Sequence, residues 1–201
     1  KWLGQKQKYF AVTESTNLEA KAAGENGEPN GFVAFADRQL GGKGRLGRPW
    51  SSPAGQGIWF SLLLRPNLAP AVAPQLTLAT AVGVADGLRK LGFQAGIKWP
   101  NDIFIDGRKV CGILTEMDAD MDKINYVVVG IGVNVLNPEF PKELKKVATS
   151  LKIEADKAKI VCPPRNVVAA ELLNSLEDAY ELLYHEGFKP IREQWLKNNI
   201  T

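Results

Sequence analysis

A loop rich in glycine and positive charge is the part of this sequence that is best suited to bind an anion. Residues 41–50, Gly-Gly-Lys-Gly-Arg-Leu-Gly-Arg-Pro-Trp, contain four glycines, three cations and no carboxylate. Glycine lets a backbone approach a ligand closely, and the cations Lys43, Arg45 and Arg48 can neutralise phosphate or carboxylate groups. Trp50 adds a flat apolar wall at the end of the loop. We therefore expect an anionic ligand here; a flexible, solvated basic loop is the alternative.

The same loop satisfies the Gly-x-Gly-x-x-Gly pattern of dinucleotide-binding proteins over residues 42–47. That pattern requires a helix that opens directly after the third glycine. Here the third glycine is followed by Arg-Pro-Trp-Ser-Ser-Pro, which cannot open a regular helix. A P-loop is excluded as well, because Lys43 is followed by glycine rather than by Ser or Thr. We therefore expect neither of these two nucleotide-binding loops.

A second polar segment, Lys98-Trp-Pro-Asn-Asp102, leads into a predicted β-hairpin. Asp106-Gly107 between two apolar runs is typical of a two-residue hairpin turn. We expect Ile103–Ile105 to pair antiparallel with Val110–Leu114, which places Lys109 close to the turn. Glycine within the returning strand, at position 112, indicates close approach by a ligand or another backbone. An ordinary exposed hairpin is the alternative interpretation.

The remaining pattern of apolar residues predicts an α+β domain. Short apolar runs indicate strands, and apolar residues that recur every three to four positions indicate helices. Further strands are predicted at Phe32–Ala36, Ile58–Leu64 and Ile124–Val135, and helices over residues 18–23, 74–91, 168–183 and 190–197. Because hairpins join some strands and helices separate others, we expect a mixed, mostly antiparallel sheet flanked by helices.

Two details of the helices are also predicted. Thr16-Asn-Leu-Glu19 has the spacing of a capping box, with Thr16 as the residue that caps the first helix. Gly83 and Gly87 share one face of the long second helix, and we expect this face to pack closely on the sheet.

Composition excludes several classes of protein. A chain of 201 residues is long enough for a sizeable core, and its net charge of +3 does not by itself indicate nucleic acid. No apolar run is expected to reach the ~20 residues that span a bilayer. The two cysteines, Cys111 and Cys162, lack the spacing of a metal site, so a reducing cytoplasm is expected. The only histidine, His185, has no partner motif for catalysis.

The order of the motifs resembles that of the biotin protein ligase family. The glycine-basic loop is followed by Lys98-Trp-Pro-Asn-Asp102 and then by Arg108-Lys-Val-Cys-Gly-Ile-Leu114, as in that family. Four further segments match in the same order: Glu14-Ser-Thr-Asn17, Gly55–Pro66, Val129–Asn134 and Ala148–Leu151. Any one motif alone is weak, but together they cover nearly the whole chain.

This resemblance implies a fold, a reaction and partners. The fold is that of class II synthetase-like biotin and lipoate ligase catalytic domains, over residues 1–201, without the family's N-terminal winged helix or its C-terminal SH3-like barrel. The reaction is ATP-dependent and forms a C–N bond: biotin and ATP give biotinyl-5′-AMP and pyrophosphate, and biotin then passes to a lysine of a biotin carboxyl carrier protein. Mg²⁺ is expected with the ATP, and the protein is expected to be a cytoplasmic enzyme and a candidate homodimer. Neither a membrane nor nucleic acid is expected as a partner.

The resemblance also assigns roles to residues by motif. Lys109 and Arg45 are expected to be catalytic, because they meet the carboxylate and α-phosphate oxygens where charge develops. Asn101 and Asp102 are expected to orient ATP, Mg²⁺ or the incoming lysine, and no metal site made of protein side chains is expected. Biotin is expected to contact Ser15, Thr16, Asn17, Gln39, Lys43, Gly44, Arg45, Lys109, Gly112, Gly130 and Gly132. ATP is expected to contact Arg45, Arg48, Trp50, Asn101, Asp102 and Asn134.

Two departures from the family pattern leave alternatives open. Position 43 is lysine where many relatives have arginine, so the charge remains but bidentate geometry is lost. Val135 is not followed by the usual second asparagine. A lipoate or octanoate ligase on the same fold is one alternative, although such enzymes carry an Arg-Arg-x-Gly-Gly-Gly element and a His-Asp pair that are missing here. A biotin-binding repressor paralogue, or one without catalysis, is the other; retention of Lys109 and Arg45 argues against the non-catalytic form.

Overall fold

A computed structural model describes all residues, Lys1–Thr201, as an α+β fold with seven strands and five α-helices. The strands form one sheet in the order β1-β2-β3-β7-β6-β5-β4. The strands are β1 Gln7–Thr13, β2 Phe32–Gln39, β3 Gly57–Leu64, β4 Gly96–Lys98, β5 Asp102–Ile105, β6 Arg108–Ala119 and β7 Ile124–Asn134. The helices are α1 Thr16–Glu25, α2 Pro74–Lys90, α3 Leu151–Ala158, α4 Arg165–Glu186 and α5 Phe188–Asn198.

Strand pairing in this sheet is mixed, with antiparallel pairs in the majority. Strand β1 runs parallel to β2, while β2 with β3, β4 with β5 and β5 with β6 are antiparallel. The predicted fold class is therefore confirmed. The sequence pattern missed β1, whose side chains are mostly exposed, and β4, which has only three residues.

The predicted hairpin between β5 and β6 is confirmed. Ile105 pairs with Arg108, and the turn residues Asp106 and Gly107 both have positive φ angles, 49° and 71°. Two consecutive positive φ angles are what a type I′ hairpin turn requires, which explains the Asp-Gly pair. The returning strand begins at Arg108 rather than at Val110, and a register shift lies between Ile103 and Phe104.

The chain folds as two compact units. The first contains Lys1–Thr77 and Ile113–Gly132, and the second contains Leu78–Gly112 and Val133–Thr201. In the first unit, α1 packs on β2 and β3, and a buried apolar cluster forms beneath it from Ala20, Phe32, Ala34, Leu63, Tyr126 and Val128.

In the second unit, α2 and α4 approach each other closely through glycine. A Cβ atom added at Gly83 would lie 2.9 Å from Cα of Leu176, and one added at Gly87 would lie 3.1 Å from a methyl carbon of Leu172. The two glycines therefore face helix α4, and the prediction that they pack on the sheet is wrong. Periodicity identified the shared face but could not identify its partner.

The first helix is capped differently from the prediction. Ser15 is the N-cap: its backbone is extended and its side chain accepts a hydrogen bond from the Asn17 N–H. Thr16 is already helical, and Glu19 accepts a hydrogen bond from the Thr13 hydroxyl instead of closing a capping box. The helix starts one residue earlier because Thr16 and Asn17 are held by other partners, described below.

One segment is apolar enough to satisfy a membrane-span criterion, contrary to the expectation from the sequence. Pro70–Lys90 is 21 residues long, and its length and composition would allow it to cross a bilayer. However, 61% of its apolar window is buried inside the protein, as in the core helix of a globular domain. The segment is therefore weak evidence for a membrane span.

Candidate functional site

Residues from three elements of the first unit meet at the N-terminus of α1. The Thr16 N–H donates to Oε1 of Gln39 at 2.8 Å, and the Thr16 hydroxyl lies 3.0 Å from the same oxygen. Gln39, at the end of β2, uses its Nε2 to donate to the Ser52 hydroxyl at 2.8 Å. A helix N-terminus has backbone donors without intrahelical partners, and here a glutamine side chain satisfies one of them. The structure thus brings the Ser15–Asn17 motif and Gln39 together.

Asn17 is the most constrained side chain of this group. Its Nδ2 donates to Oε2 of Glu116 at 2.7 Å, and its Oδ1 lies 2.6 Å from the Ser61 hydroxyl. A Cβ atom added at Gly130 would lie 2.1 Å from Asn17 Oδ1, so the amide rests directly on the glycine backbone. Asn17 is buried, with only 7% of its surface exposed. Glycine at position 130 is therefore required by the close approach of Asn17.

The sequence analysis missed two members of this network, Ser61 and Glu116. Ser61 is fully buried and is the one hydroxyl in β3, an otherwise apolar strand. Since buried polar groups are almost always hydrogen-bonded, a serine in such a strand is a signal that a polar partner exists. Glu116 carried a weaker signal, a charge at the end of the apolar run Val110–Leu114.

Positive charge surrounds the Glu116 carboxylate. Lys21, on α1, lies 2.6 Å from Oε1 of Glu116. Burial raises the pKa of Glu116, but hydrogen bonds from Lys21 and Asn17 and the charges of Lys21 and Lys43 outweigh it, so the pKa lies below its ordinary value. Glu116 is therefore ionised at neutral pH and can only accept hydrogen bonds.

The glycine-basic loop closes on itself as a short hairpin. The Gly44 N–H donates to the Arg48 carbonyl and the Trp50 N–H donates to the Gly42 carbonyl, both at 2.8 Å. The tip, Arg45–Gly47, is a single 3-10 turn in which Leu46 and Gly47 have positive φ angles. Three charged side chains extend into solvent from this frame: Lys43, Arg45 and Arg48. The loop thus has a defined backbone and exposed cations, an arrangement that suits phosphate or carboxylate oxygens.

Trp50 lies against the second glycine of β7. A Cβ atom added at Gly132 would lie 2.5 Å from Nε1 of Trp50, and the indole makes an edge contact with Trp59 at a ring-centroid distance of 6.4 Å. Gly130 and Gly132 therefore share one face of β7, where the first carries Asn17 and the second carries Trp50. Side chains at these two positions would displace the polar and the aromatic group respectively.

In the second unit, Lys109 is held at both its backbone and its side chain. Its N–H donates to the Val147 carbonyl, and its carbonyl accepts from the Thr149 N–H, each at 2.9 Å. Its ammonium group lies 2.8 Å from Oδ1 of Asp102, and both side chains are about one third exposed. Asn134 donates to the Thr149 carbonyl at 3.1 Å, so one short segment, 147–149, anchors both Lys109 and Asn134.

The residues that precede Asp102 are also fixed within the second unit. Trp99 contacts Trp195 edge to face at 5.5 Å, and the Trp195 indole N–H donates to the Pro100 carbonyl at 3.2 Å. Asn101 is buried, with 2% of its surface exposed. Gly112 lies in β6 next to Cys111, and burial raises the pKa of the Cys111 thiol well above its ordinary value. Cys111 is therefore an inert core residue rather than a nucleophile.

The chain has no histidine placed for acid–base catalysis. His185 is exposed on α4, where its ring nitrogen pairs with Glu181 at 2.8 Å. What the two units offer instead is a buried network of neutral donors and acceptors, a loop of exposed cations and a lysine held by a carboxylate. Such groups can bind a small polar head and stabilise charge on phosphate or carboxylate oxygens.

Three comparisons place the chain among known proteins. Residues 9–134 match the biotin/lipoate A/B protein ligase family. The bifunctional ligase/repressor BirA of Bacillus subtilis is 43% identical over 196 residues, which are 96% of this chain and 59% of that relative. The biotin–[acetyl-CoA-carboxylase] ligase of Paracoccus denitrificans is 34% identical over 198 residues, covering 93% of this chain and 78% of that relative.

A solved structure agrees with these relatives. Biotin protein ligase from Aquifex aeolicus in complex with biotin and ATP has a TM-score of 0.81 and 28% identity, over 98% of this chain and 79% of that one. This chain spans 59% of the length of the Bacillus relative. Because a matching family covers most of the chain, and a relative above 30% identity is itself largely covered, the chain belongs to the biotin/lipoate A/B protein ligase family and, within it, to the biotin protein ligases.

Proposed function

We propose that this chain activates biotin with ATP to biotinyl-5′-AMP and then transfers biotin to a lysine of a biotin carboxyl carrier protein. One observation carries the proposal: the buried network around Asn17 and Thr16 lies in the same compact unit as the loop of exposed cations. The first can hold a neutral polar head and the second an anion. Biotin combines a neutral ureido group with a carboxylate, and the Aquifex relative was solved with biotin and ATP.

The ureido group suits the network because it has one carbonyl acceptor and two N–H donors. Ser15, Thr16, Asn17 and Gln39 supply both kinds of partner, and Gly130 and Gly132 leave an open backbone surface on β7. A site built to hydrogen-bond a ligand rejects analogues that lack those groups, because its own buried groups would then stay unpaired. Selectivity for biotin over a simple fatty acid follows from this.

Activation joins two anions, so cations are the main requirement. A biotin carboxylate oxygen attacks the α-phosphorus, and the bond to the pyrophosphate oxygen breaks. We assign Lys43, Gly44 and Arg45 to the carboxylate and α-phosphate, and Arg48 to the leaving pyrophosphate. These assignments rest on the family motif and on the exposure of the three cations. Catalysis is then positioning together with electrostatic stabilisation.

Lys109 is assigned to the charge that develops at the carboxylate and α-phosphate oxygens. Its pair with Asp102 is about one third exposed, and such surface pairs contribute little to stability. Exchanging Asp102 for a ligand oxygen therefore costs little. Asp102 and Asn101 are assigned to the nucleotide or the incoming lysine, Trp50 and Asn134 to the adenine, and Gly112 to the surface under the biotin rings.

Mg²⁺ belongs to the proposal as a companion of ATP. The chain has no group of three or more His, Cys, Asp or Glu side chains that could hold a metal ion. Mg²⁺ usually keeps several waters and is bound by one or two carboxylates together with substrate phosphates. The residues present therefore fit an ion that is carried by the nucleotide, with Asp102 as the carboxylate that could reach it.

Two further parts of the proposal concern the cell and the assembly. Cys111 and Cys162 are both free thiols, which fits a reducing cytoplasm. A homodimer is proposed from the family resemblance, and sedimentation of the purified protein with and without biotin and ATP measures it. A carrier domain with an exposed lysine is the proposed macromolecular partner.

The test is pyrophosphate release by the purified chain. With biotin, ATP and Mg²⁺ we expect one equivalent of pyrophosphate per chain and a tightly bound biotinyl-adenylate; adding a carrier domain should then give biotinylated carrier and AMP. Lipoate and octanoate should not replace biotin. Equal turnover with lipoate would overturn the biotin assignment, and retention of biotin without pyrophosphate release would reduce the function to binding.

A further inference from the structure

The Glu116 carboxylate is placed to decide which way the Asn17 side chain faces. It receives Asn17 Nδ2 on one oxygen, at 2.7 Å, and Lys21 Nζ on the other, at 2.6 Å. An asparagine amide has an oxygen and a nitrogen of nearly equal size, so its orientation depends on its hydrogen-bond partners. A carboxylate that can only accept forces the nitrogen of the amide toward itself.

The partner on the other side of the amide agrees with this orientation. Ser61 has a single hydroxyl proton and lies 2.6 Å from Asn17 Oδ1 and 2.7 Å from Thr16 Oγ1. Since Glu116 holds the nitrogen, Oδ1 faces Ser61 and accepts its proton. Thr16 keeps its own proton for Ser61 or Gln39. Without an acceptor at position 116, the serine hydroxyl could equally accept from a flipped amide.

Stability gives Glu116 little other reason to be there. The side chains of Lys21 and Glu116 are 34% and 36% exposed, and ion pairs at that exposure contribute little to folding. Asn17 is buried, however, and a buried amide without its acceptor loses a charge-assisted hydrogen bond. The main consequence of the carboxylate is therefore at Asn17.

We propose that Glu116, held by Lys21, is a positioning residue that fixes the amide orientation of Asn17 and so sets the affinity for the ureido group of biotin. The proposal rests on the proposed function, because it concerns the same ligand. One Nδ2 hydrogen of Asn17 goes to Glu116, and the second is left to donate to an acceptor such as the ureido carbonyl. Glu116 itself does not touch the ligand.

The experiment compares Glu116→Gln with a matched control, Glu28→Gln. Both changes break a lysine–glutamate ion pair in the first unit, but Glu28 pairs with Lys6 and has no bond to Asn17. We expect Glu116→Gln to raise the KM for biotin about tenfold, the order that loss of a charge-assisted hydrogen bond produces. The KM for ATP, the kcat and the melting temperature should change little, and Glu28→Gln should leave the KM for biotin unchanged.

A double-mutant cycle with Asn17→Ala separates positioning from other roles. If Glu116 acts through Asn17, Glu116→Gln should add no further loss in the Asn17→Ala background. The side-chain amide of Asn17, assigned in ¹⁵N spectra by its disappearance in Asn17→Ala, should shift in Glu116→Gln without any ligand. An unchanged KM, or the same tenfold loss in both backgrounds, overturns the proposal.

Two outcomes keep the test decisive. If Glu116→Gln does not fold, Lys21→Met at a half-exposed helix position removes the other partner of the carboxylate, and it should raise the KM for biotin several-fold; no change would overturn the proposal. A wild-type protein that binds no biotin overturns the proposed function and this proposal together. Wild-type binding with an unaffected Glu116→Gln overturns only the role of Glu116.

Discussion

Gly130→Ala should damage biotin binding because it pushes Asn17 away from its partners. The added methyl group would lie 2.1 Å from Oδ1, 2.9 Å from Cγ and 3.1 Å from Nδ2 of Asn17. Ordinary van der Waals contact begins near 3.4 Å, so the amide must retreat by about 1 Å or β7 must shift. Retreat is not free, since hydrogen bonds of 2.6 Å to Ser61 and 2.7 Å to Glu116 hold the amide in place.

The size of the effect follows from the bonds that are lost. A neutral hydrogen bond contributes about 1 kcal/mol and one to a charged group about 1.5–3 kcal/mol. Losing one of the two therefore lowers the free energy of unfolding by about 1–3 kcal/mol. If Asn17 also leaves the ureido group, affinity for biotin should fall at least about tenfold, since each 1.4 kcal/mol is a factor of ten.

Calorimetric titration with biotin and thermal unfolding measure both effects. The double variant Gly130→Ala, Asn17→Ala removes the clash, so it should recover stability relative to Gly130→Ala while still binding biotin weakly. Wild-type affinity in Gly130→Ala would refute the argument. So would a double variant that is no more stable than Gly130→Ala, because the clash would then lie elsewhere.

Three further predictions test other parts of the molecule. Lys109→Ala should slow adenylate formation about 10²–10³-fold while weakening biotin binding much less, as pyrophosphate release and titration will measure; an unchanged rate would leave Lys109 an ordinary surface residue. Gly83→Ala should lower the melting temperature, because a methyl group 2.9 Å from the Leu176 Cα costs about 1–3 kcal/mol and outweighs about 1 kcal/mol of helix propensity; a raised melting temperature would contradict this packing. Burial raises the pKa of both thiols, and Cys111 is fully buried while Cys162 is not, so a thiol reagent should modify Cys162 slowly and Cys111 only after unfolding; rapid labelling of native Cys111 would be inconsistent with the core described here.

The sequence by itself determined the features that depend on neighbouring residues. Asp106-Gly107 predicted its hairpin because both residues adopt the positive φ angles that the turn needs. Long apolar runs predicted β3, β7 and the helices α2 and α4, and the ordered motifs predicted the family. In each case the signal lies within a few residues, or in the order of short motifs, and does not depend on which distant segments meet.

Only the tertiary structure decided which distant residues became partners. Asn17 and Glu116 are 99 positions apart, and neither periodicity nor spacing indicates that a carboxylate on β6 orients an amide on α1. The helix facing Gly83 and the cap of α1 were misassigned for the same reason, since alternatives that are locally equal are separated by contacts made elsewhere. Strands β1 and β4 escaped prediction because exposed or very short strands carry little apolar pattern. The free energy that selects among such alternatives comes from burial and from satisfying buried polar groups, and both exist only once the chain has folded.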